Sequence, residues 1–486
     1  MGKIFTNRRL CFFGSSIVLA SAAWWSQHRR LSDAFDGRDP SYHSLVTSHS
    51  DVVIVGGGIV GTAVAREVLQ KFPTKSVRII EKEADVACHQ SSHNSGVIHA
   101  GMYYTPGSSM ARLCVEGARR MFEYCQVHNL PCERVGKLIV AVDEGQRGAV
   151  EELFRRGNLN GVKDLQLLAT QKEIHAIEPL VCGVAALWSP NTGIADFSAV
   201  ARHMHQALLK NSRFSSVFRG EVRGLRTTDS ADRVLLAVKE PGQEGPLVVY
   251  SASHVIVCSG LHNNHLAAIA GDVVATEGPK VACSVSFRGR YYQLKPSSTI
   301  SVKTNVYPCP TGGGIPVGIH FTPTVDERRG RGVIIGPGSA MCSAFEGYTA
   351  LNWELPYLVD ILQSSAVWAF LAGNVGLGIQ QFLTDQSKSR FLAEAQKLIP
   401  SVTADDITDS FAGVMAAGIG ESGVWVADLS AEFTRPKPLN KQDKHFSSAK
   451  PLLMNIRNAP SPCATASLAV AEDIVALATK QFDWKH

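Results

Sequence analysis

Residues 51–72 read DVVIVGGGIVGTAVAREVLQKF, and their order decides the fold. Val52 to Val55 form a short unbroken apolar run, the pattern of a strand buried on both faces. Gly56, Gly58 and Gly61 then satisfy G-x-G-x-x-G, and Thr62 to Phe72 continue with alanines and an apolar stripe that suit a helix. The spacing has a physical reason. Gly56 permits the tight turn from strand to helix, Gly58 lets backbone approach a pyrophosphate, and Gly61 lets the helix pack closely on the sheet. Phosphates would sit on the free N–H groups and the positive end of that helix.

Alone, the glycine pattern is weak. Val77 to Ile80 supplies a second apolar strand ending at Glu81, about 20 residues past Gly61, where an acid accepts from ribose hydroxyls. Strand, glycine turn, helix, strand and acid at these distances predict a dinucleotide-binding unit, with Lys82 beside the acid. Further along, HVIVC (254–258) is strand material running into Ser259 and Gly260, small residues that let backbone lie against a dinucleotide. NIRNAPSPCATASLAVAEDIVALAT (455–479) carries prolines at 460 and 462 followed by a long apolar helix. A helix start there would aim its positive end at a reduced ring.

The rest of the chain bounds the reading. At 486 residues it exceeds the size of a single core, so two domains or one large composite are expected. Apolar residues make up 45 % and charged residues 19 %, a globular balance. The 11 cysteines include no C-x-x-C pair, which argues against a disulfide framework and a zinc site and for reduced thiols; no metal is expected. Five of the 48 Lys and Arg fall in residues 1–30, which hold no acid, and the remaining 43 balance 43 Asp and Glu. The body is therefore neutral, and no nucleic-acid footprint is expected.

Residues 1–30 place basic residues around an apolar stretch from Leu10 to Trp25, shorter than the roughly 20 residues of a comfortable span. A secretory signal, a short anchor and a mitochondrial presequence all compete. The absence of acids and the Arg/Ser content favour a mitochondrial transit peptide, with membrane association through this segment. Residues 1–49 are thus read as targeting segment and linker. The apolar stretch 366–383 is interrupted by Gly373, Gly376 and Gly378 and is read as core. Arg328 to Arg331 reads as a surface insertion.

Several segments together carry a family resemblance: VIVGGGIVG, the EKE after the second strand, HNSGVIHAGMYY (93–104), GKLIVAV (136–142), FRGRYYQLKP (287–296), YPCP…GIHFTP (307–323) and IRNAPSP (456–462). From about residue 50 to 478 the chain resembles the FAD-dependent L-2-hydroxyglutarate dehydrogenases, a branch of the flavoprotein family that includes D-amino-acid oxidase, sarcosine oxidase and glycerol-3-phosphate dehydrogenase. The resemblance implies an α/β fold: a Rossmann-type, D-amino-acid oxidase-like FAD-binding domain built from 50–105, 190–265 and 405–480, with a mixed-sheet substrate domain from 106–189 and 266–404. The return into the FAD domain is expected at 401–409.

The resemblance also implies roles. The loop QSSHNSGVIHAG would pass beneath the flavin, with Ser92, His93, Asn94, Ser95 and Gly96 against the ring. His93 falls where some relatives bond FAD covalently, although non-covalent binding is expected here. Val222, Ser259, Gly260, Asn458, Ala459, Pro460 and Ser461 would complete the cofactor site. The implied reaction is oxidation of L-2-hydroxyglutarate to 2-oxoglutarate by hydride transfer from C2 to flavin N5, with electrons passed to a quinone or an electron-transfer flavoprotein. Such chemistry needs a base for the hydroxyl proton, which suits histidine: His99 first, His320 second. A dicarboxylate wants planar guanidinium donors, and Arg288 is the expected clamp, with Tyr103, Tyr104 and Lys303 as helpers.

One departure bears on the substrate. The family pattern A-G-V-R-A-Q is replaced by Ala412-Gly413-Val414-Met415-Ala416-Ala417. A thioether is neither cationic nor a donor, and losing a charge-assisted contact costs about 1.5–3 kcal/mol. Two alternatives stay open: a same-fold enzyme acting on glycerol 3-phosphate or an amino acid, and a non-catalytic FAD-binding assembly factor.

Overall fold

The computed structural model describes residues 46–485 apart from 229, 231, 241–246, 311–317 and 440–449. The targeting segment expected in residues 1–30 lies outside the described residues.

The opening motif folds as its spacing requires. Strand β1 (Val46–Val55) leads through the glycine turn into helix α1 (Ile59–Lys71), and strand β2 (Val77–Ile80) returns parallel to β1. The strand starts earlier than the sequence suggested. Residues expected to be linker pair with the strand Val248–Val257, Val46 opposite Val249 and His49 opposite Ser251. This outer half alternates exposure instead of running apolar, so it escaped the search for a continuous run. In the inner half, Val52 and Ile54 join one apolar cluster while Val53 and Val55 join another on the opposite face. Truncating any of these to alanine would cost on the order of 2–5 kcal/mol.

β1 sits centrally in a nine-stranded sheet ordered 272–277, 430–435, 453–458, 248–257, β1, β2, 214–217, with a hairpin of 221–227 and 234–239 joined to 248–257. The helix Cys463–Phe482 packs beside α1 and against the helix Ser109–Val127. The last two approach so closely that a Cβ on Gly117 would fall 2.4 Å from Ala466 Cα.

A second nine-stranded mixed sheet runs 340–341, 283–294, 333–336, 320–323, 305–308, 137–141, 185–189, 166–168. Strand Ile407–Ile419 pairs along the length of Cys283–Leu294 in this second sheet. The chain therefore re-enters the first sheet at Ser430–Arg435, not at 401–409, and the first sheet also takes Asp272–Glu277 as an edge strand. The sequence of 407–419 offers small residues that suit either sheet, and only pairing decides.

The stretch 366–383 is not core. It lies in a helix, Ser365–Gln386, broken at Asn374 by a non-helical backbone, with Ala366, Val367 and Phe370 buried at one end and Thr384 and Asp385 at the other. Between them Val375, Ile379 and Phe382 are each more than half exposed. The glycines that interrupt the stretch serve no close packing: among the described residues a Cβ at 373, 376 or 378 would find open space.

Candidate active site

A cavity of about 630 Å³ runs between the two sheets, from the glycine turn to the start of the helix Cys463–Phe482. At one end Gly56, at φ +109°, packs where a Cβ would lie 2.4 Å from Cys258 O; at Gly61 it would lie 2.0 Å from Gly56 O. Both glycines are thus demanded by close backbone approach, and Gly61 acts from behind the cavity wall. Glu81 is buried and its carboxylate spans the turn, accepting from Gly57 N–H (2.6 Å) and Glu83 N–H (2.8 Å). Each oxygen keeps a second lone pair for a ribose hydroxyl.

These features fit a dinucleotide. α1 has Gly58 at its N-cap and no acid in its first turn, which suits an anion at a helix N-terminus, and Ser91 Oγ accepts from Ile59 N–H (3.0 Å). Val222, Ser259 and Gly260 line the cavity, and Ser259 Oγ is buried with no hydrogen-bond partner among the described residues. Asn458, Ala459, Pro460 and Ser461 line the far end, where the helix Cys463–Phe482 starts. Lys82 also lines the cavity, but its ammonium is engaged by Glu83 (2.5 Å) and His89 (2.8 Å).

The HNSG loop is a tightly bonded turn. Asn94 donates to the carbonyls of Gln90 (2.9 Å) and Ser91 (3.0 Å) and accepts from Gly96 N–H (2.8 Å). Ser92 donates its hydroxyl to His89 O (3.0 Å), and His93 Nδ1 lies 3.1 Å from the same carbonyl. His93, Asn94 and Ser95 line the main cavity. Ser92 and Gly96 do not: they face a small hollow behind the loop with Asp196, Arg328 and Arg329. Gly96 is required there because a Cβ would meet Ala195 O at 2.9 Å.

Sequence reasoning missed what holds this loop. Arg329, read as part of a surface insertion, is largely buried; it donates to Ser92 O (2.6 Å) and Asn94 O (2.8 Å) and lies 3.6 Å from the Phe411 ring centroid. Asp326 anchors it at 3.2 Å. Four arginine-rich residues in a row look like solvated surface, and nothing local marks the second as a clamp. From the other side Ala416 N–H donates to Gln90 (2.9 Å).

At the heart of the cavity five rings gather. Tyr307 stacks on His320 with centroids 3.7 Å apart and planes at 15°, and His99 stands edge-on to Tyr307 at 6.5 Å. Tyr103 and Tyr104 line the same wall, and Tyr104 hydroxyl donates to Ser461 O (3.2 Å). His320 Nδ1 lies 2.9 Å from Gly318 O, so the carbonyl fixes the proton on Nδ1, while Nε2 is buried without a partner among the described residues. Burial pushes the His320 pKa down to about 3 against a small opposing pull from that carbonyl. His99 is also held well below the usual imidazole value, first by burial and then by Lys137 and His320. Its ring makes no hydrogen bond among the described residues.

The expected carboxylate clamp is differently employed. Arg288 lines the cavity, but its guanidinium is paired with buried Asp385 at the end of the helix Ser365–Gln386. Lys303 is exposed and outside the cavity wall; its backbone N–H donates to Glu178 (2.7 Å). The buried lysine near the rings is Lys137, at the head of the strand Lys137–Ala141. A lone Lys opening an apolar strand was visible in GKLIVAV. Met415 lines the cavity, opposite Phe287 in the second sheet.

Comparison with known proteins agrees with this geometry. The family model described as "FAD dependent oxidoreductase" matches residues 51–429. The chain is 36 % identical to an L-2-hydroxyglutarate dehydrogenase, mitochondrial, of Nematostella vectensis, covering 96 % of this chain and 99 % of the relative. It is 34 % identical to the Homo sapiens protein of that name, covering 90 % of this chain and 91 % of the relative. Among solved structures, an L-alpha-glycerophosphate oxidase from Mycoplasma pneumoniae with FAD bound shares the fold at 20 % identity and a TM-score of 0.66, covering 90 % of this chain and 95 % of that one. A fold built on the glycine turn, a cavity sized for a dinucleotide and a matching family model place this chain in the FAD dependent oxidoreductase family.

Proposed function

We propose that this protein oxidises L-2-hydroxyglutarate to 2-oxoglutarate. FAD, when bound, supplies the acceptor for the hydride leaving substrate C2. The observation that carries the proton half of the reaction is His320. Its tautomer is fixed by Gly318 O, its ring is fixed by Tyr307, the residue lines the cavity, and its Nε2 is an acceptor with no hydrogen-bond partner among the described residues. Burial leaves this imidazole a weak base, and a dianionic substrate beside it favours the protonated ring, which lets it take the hydroxyl proton. His99, the first choice from sequence, stands beside it without a fixed tautomer and is assigned to orienting the substrate. Tyr103 and Tyr104 frame the same wall.

Met415 offers no charge to a carboxylate, and Arg288 is occupied by Asp385, so the substrate's negative charge must be met elsewhere in the wall. Relatives with the same overall coverage are named L-2-hydroxyglutarate dehydrogenases, mitochondrial, which supports both the substrate and a mitochondrial location.

The acceptor is assigned to a membrane quinone in preference to a soluble electron-transfer flavoprotein. The helix Ser365–Gln386 supports this. It carries no charged residue from 366 to 384, is predominantly apolar, and exposes Val375, Ile379 and Phe382 through its middle, the composition of a helix covered by something other than its own protein. Trp353 and Trp368 are both largely exposed, as suits a membrane interface. Both ends return to the protein body, so the helix would dip into one leaflet.

Anaerobic addition of L-2-hydroxyglutarate to the FAD-loaded protein tests the substrate. Bleaching is expected; bleaching by glycerol 3-phosphate or an amino acid instead would move the assignment within the family, and no bleaching by any would leave a non-catalytic FAD-binding assembly factor.

A further inference from the structure

Lys137 lies one layer behind the cavity wall. It is 1 % exposed, heads the otherwise apolar strand Lys137–Ala141, and its Nζ has no hydrogen-bond partner among the described residues. The ammonium nitrogen sits 3.4 Å from the Tyr307 ring centroid and 4.7 Å from that of Tyr103, and both rings line the cavity. On the far face of Tyr307 lies His320. The titratable groups facing Lys137 are His99 and Tyr103 from the HNSG loop and its continuation, Cys114 from the helix Ser109–Val127, Tyr307, and His320. No carboxylate pairs with it among the described residues.

An amine buried without a partner burdens the fold, and methionine would fill the same space better. Its retention calls for a use. The other lysine and arginine side chains in the cavity wall are all committed: Lys82 to Glu83 and His89, Arg288 to Asp385, and Arg457 to Glu432 (3.5 Å) and Val281 O (3.2 Å). A site for a dianion is thus left with an uncommitted amine behind two tyrosine faces.

We propose that Lys137 is a positioning residue that holds the dicarboxylate: binding of the dianion draws a proton onto Nζ, and the resulting ammonium, acting through Tyr103 and Tyr307, sharpens their hydroxyls as donors to the substrate. This rests on the dicarboxylate reading of the substrate. A cation on a tyrosine face is favourable and polarises the ring, and its field crosses the ring with little screening in a buried site. Without an anion, burial pushes the Lys137 pKa well below its ordinary value and favours the neutral amine. An anion in the cavity favours the charged form and raises that pKa. Between the two values, binding takes up a proton.

Glutarate, which cannot be oxidised at C2 by this chemistry, is the probe. Its binding to the FAD-loaded protein would be measured by titration calorimetry in two buffers of different ionisation enthalpy, between about pH 7 and 9. The wild type is expected to bind glutarate with net proton uptake. K137M should bind it about tenfold more weakly, with no uptake and undiminished thermal stability. K137R keeps a permanent cation and should bind without uptake, which guards against a folding defect in a single variant. Equal affinity and equal uptake in wild type and K137M, or undiminished uptake in K137R, would overturn the role of Lys137. Glutarate binding with the expected uptake, but no oxidation of L-2-hydroxyglutarate, would contradict the substrate and uphold Lys137.

Discussion

Tyr307 and His320 stack almost face to face, 3.7 Å between centroids and 15° between planes, on neighbouring strands of the second sheet. The stack holds the imidazole while Gly318 O holds its proton on Nδ1. Replacing His320 by glutamine removes the base and keeps a polar side chain of similar reach. The expected loss in kcat is on the order of 10²–10⁴-fold, with FAD still bound. Steady-state rates together with the flavin spectrum check it; an unchanged kcat would move the base to His99.

The same residue makes stability depend on pH. His320 titrates near 6.5 unfolded and at about 3 folded, so the unfolded chain binds the extra proton as pH falls below 6.5. Stability from this group is complete above pH 6.5 and declines as pH drops toward 3. Between pH 7 and pH 5 the wild type should lose about 2 kcal/mol more than H320Q. Urea unfolding at both pH values measures the difference, and equal losses would count against a buried neutral imidazole.

Arg329 joins the loop beneath the cavity to the second sheet. R329M leaves Asp326 without this partner, strips Asn94 O of this donor and leaves Ser92 O with the longer bond from Arg328 (3.5 Å). A loss of about 3 kcal/mol is expected, with faster amide exchange across residues 90–96 and weaker FAD retention. Exchange confined to other segments would show that the loop holds itself.

The exposed apolar helix should bind lipid. With residues 1–45 removed, the protein is expected to float with phosphatidylcholine vesicles, and the pair W368E/F382E to remain in solution while keeping its flavin. Flotation unaffected by the pair would exclude this helix as the contact.

The parts of the molecule that were legible in the sequence are those whose logic is local. Gly56, Gly58, Gly61 and Glu81 lie within one β-α-β unit, and their spacing reflects a turn, a close approach and a strand end. The C-terminal helix was likewise announced by Pro460 and Pro462. The site's remaining members depend on pairing between distant segments. Asn305 pairs with Lys137 and Tyr307 with Ile139, which is how a lysine at the head of an apolar strand comes to lie under a tyrosine face. Arg288 was chosen for its type, but Asp385, 97 residues away, already holds it. Arg329 shows the converse, a charge run that hides a buried clamp. The helix Ser365–Gln386 was misread because composition identifies an apolar segment without saying what covers it.

The central claim is that this chain is an FAD enzyme for L-2-hydroxyglutarate. It is tested most directly by the 450-nm region of the flavin spectrum, recorded without oxygen as that substrate is added. Expected is full bleaching by L-2-hydroxyglutarate and none by its D enantiomer. A flavin that stays yellow with L-2-hydroxyglutarate, in protein shown to hold FAD, would contradict it.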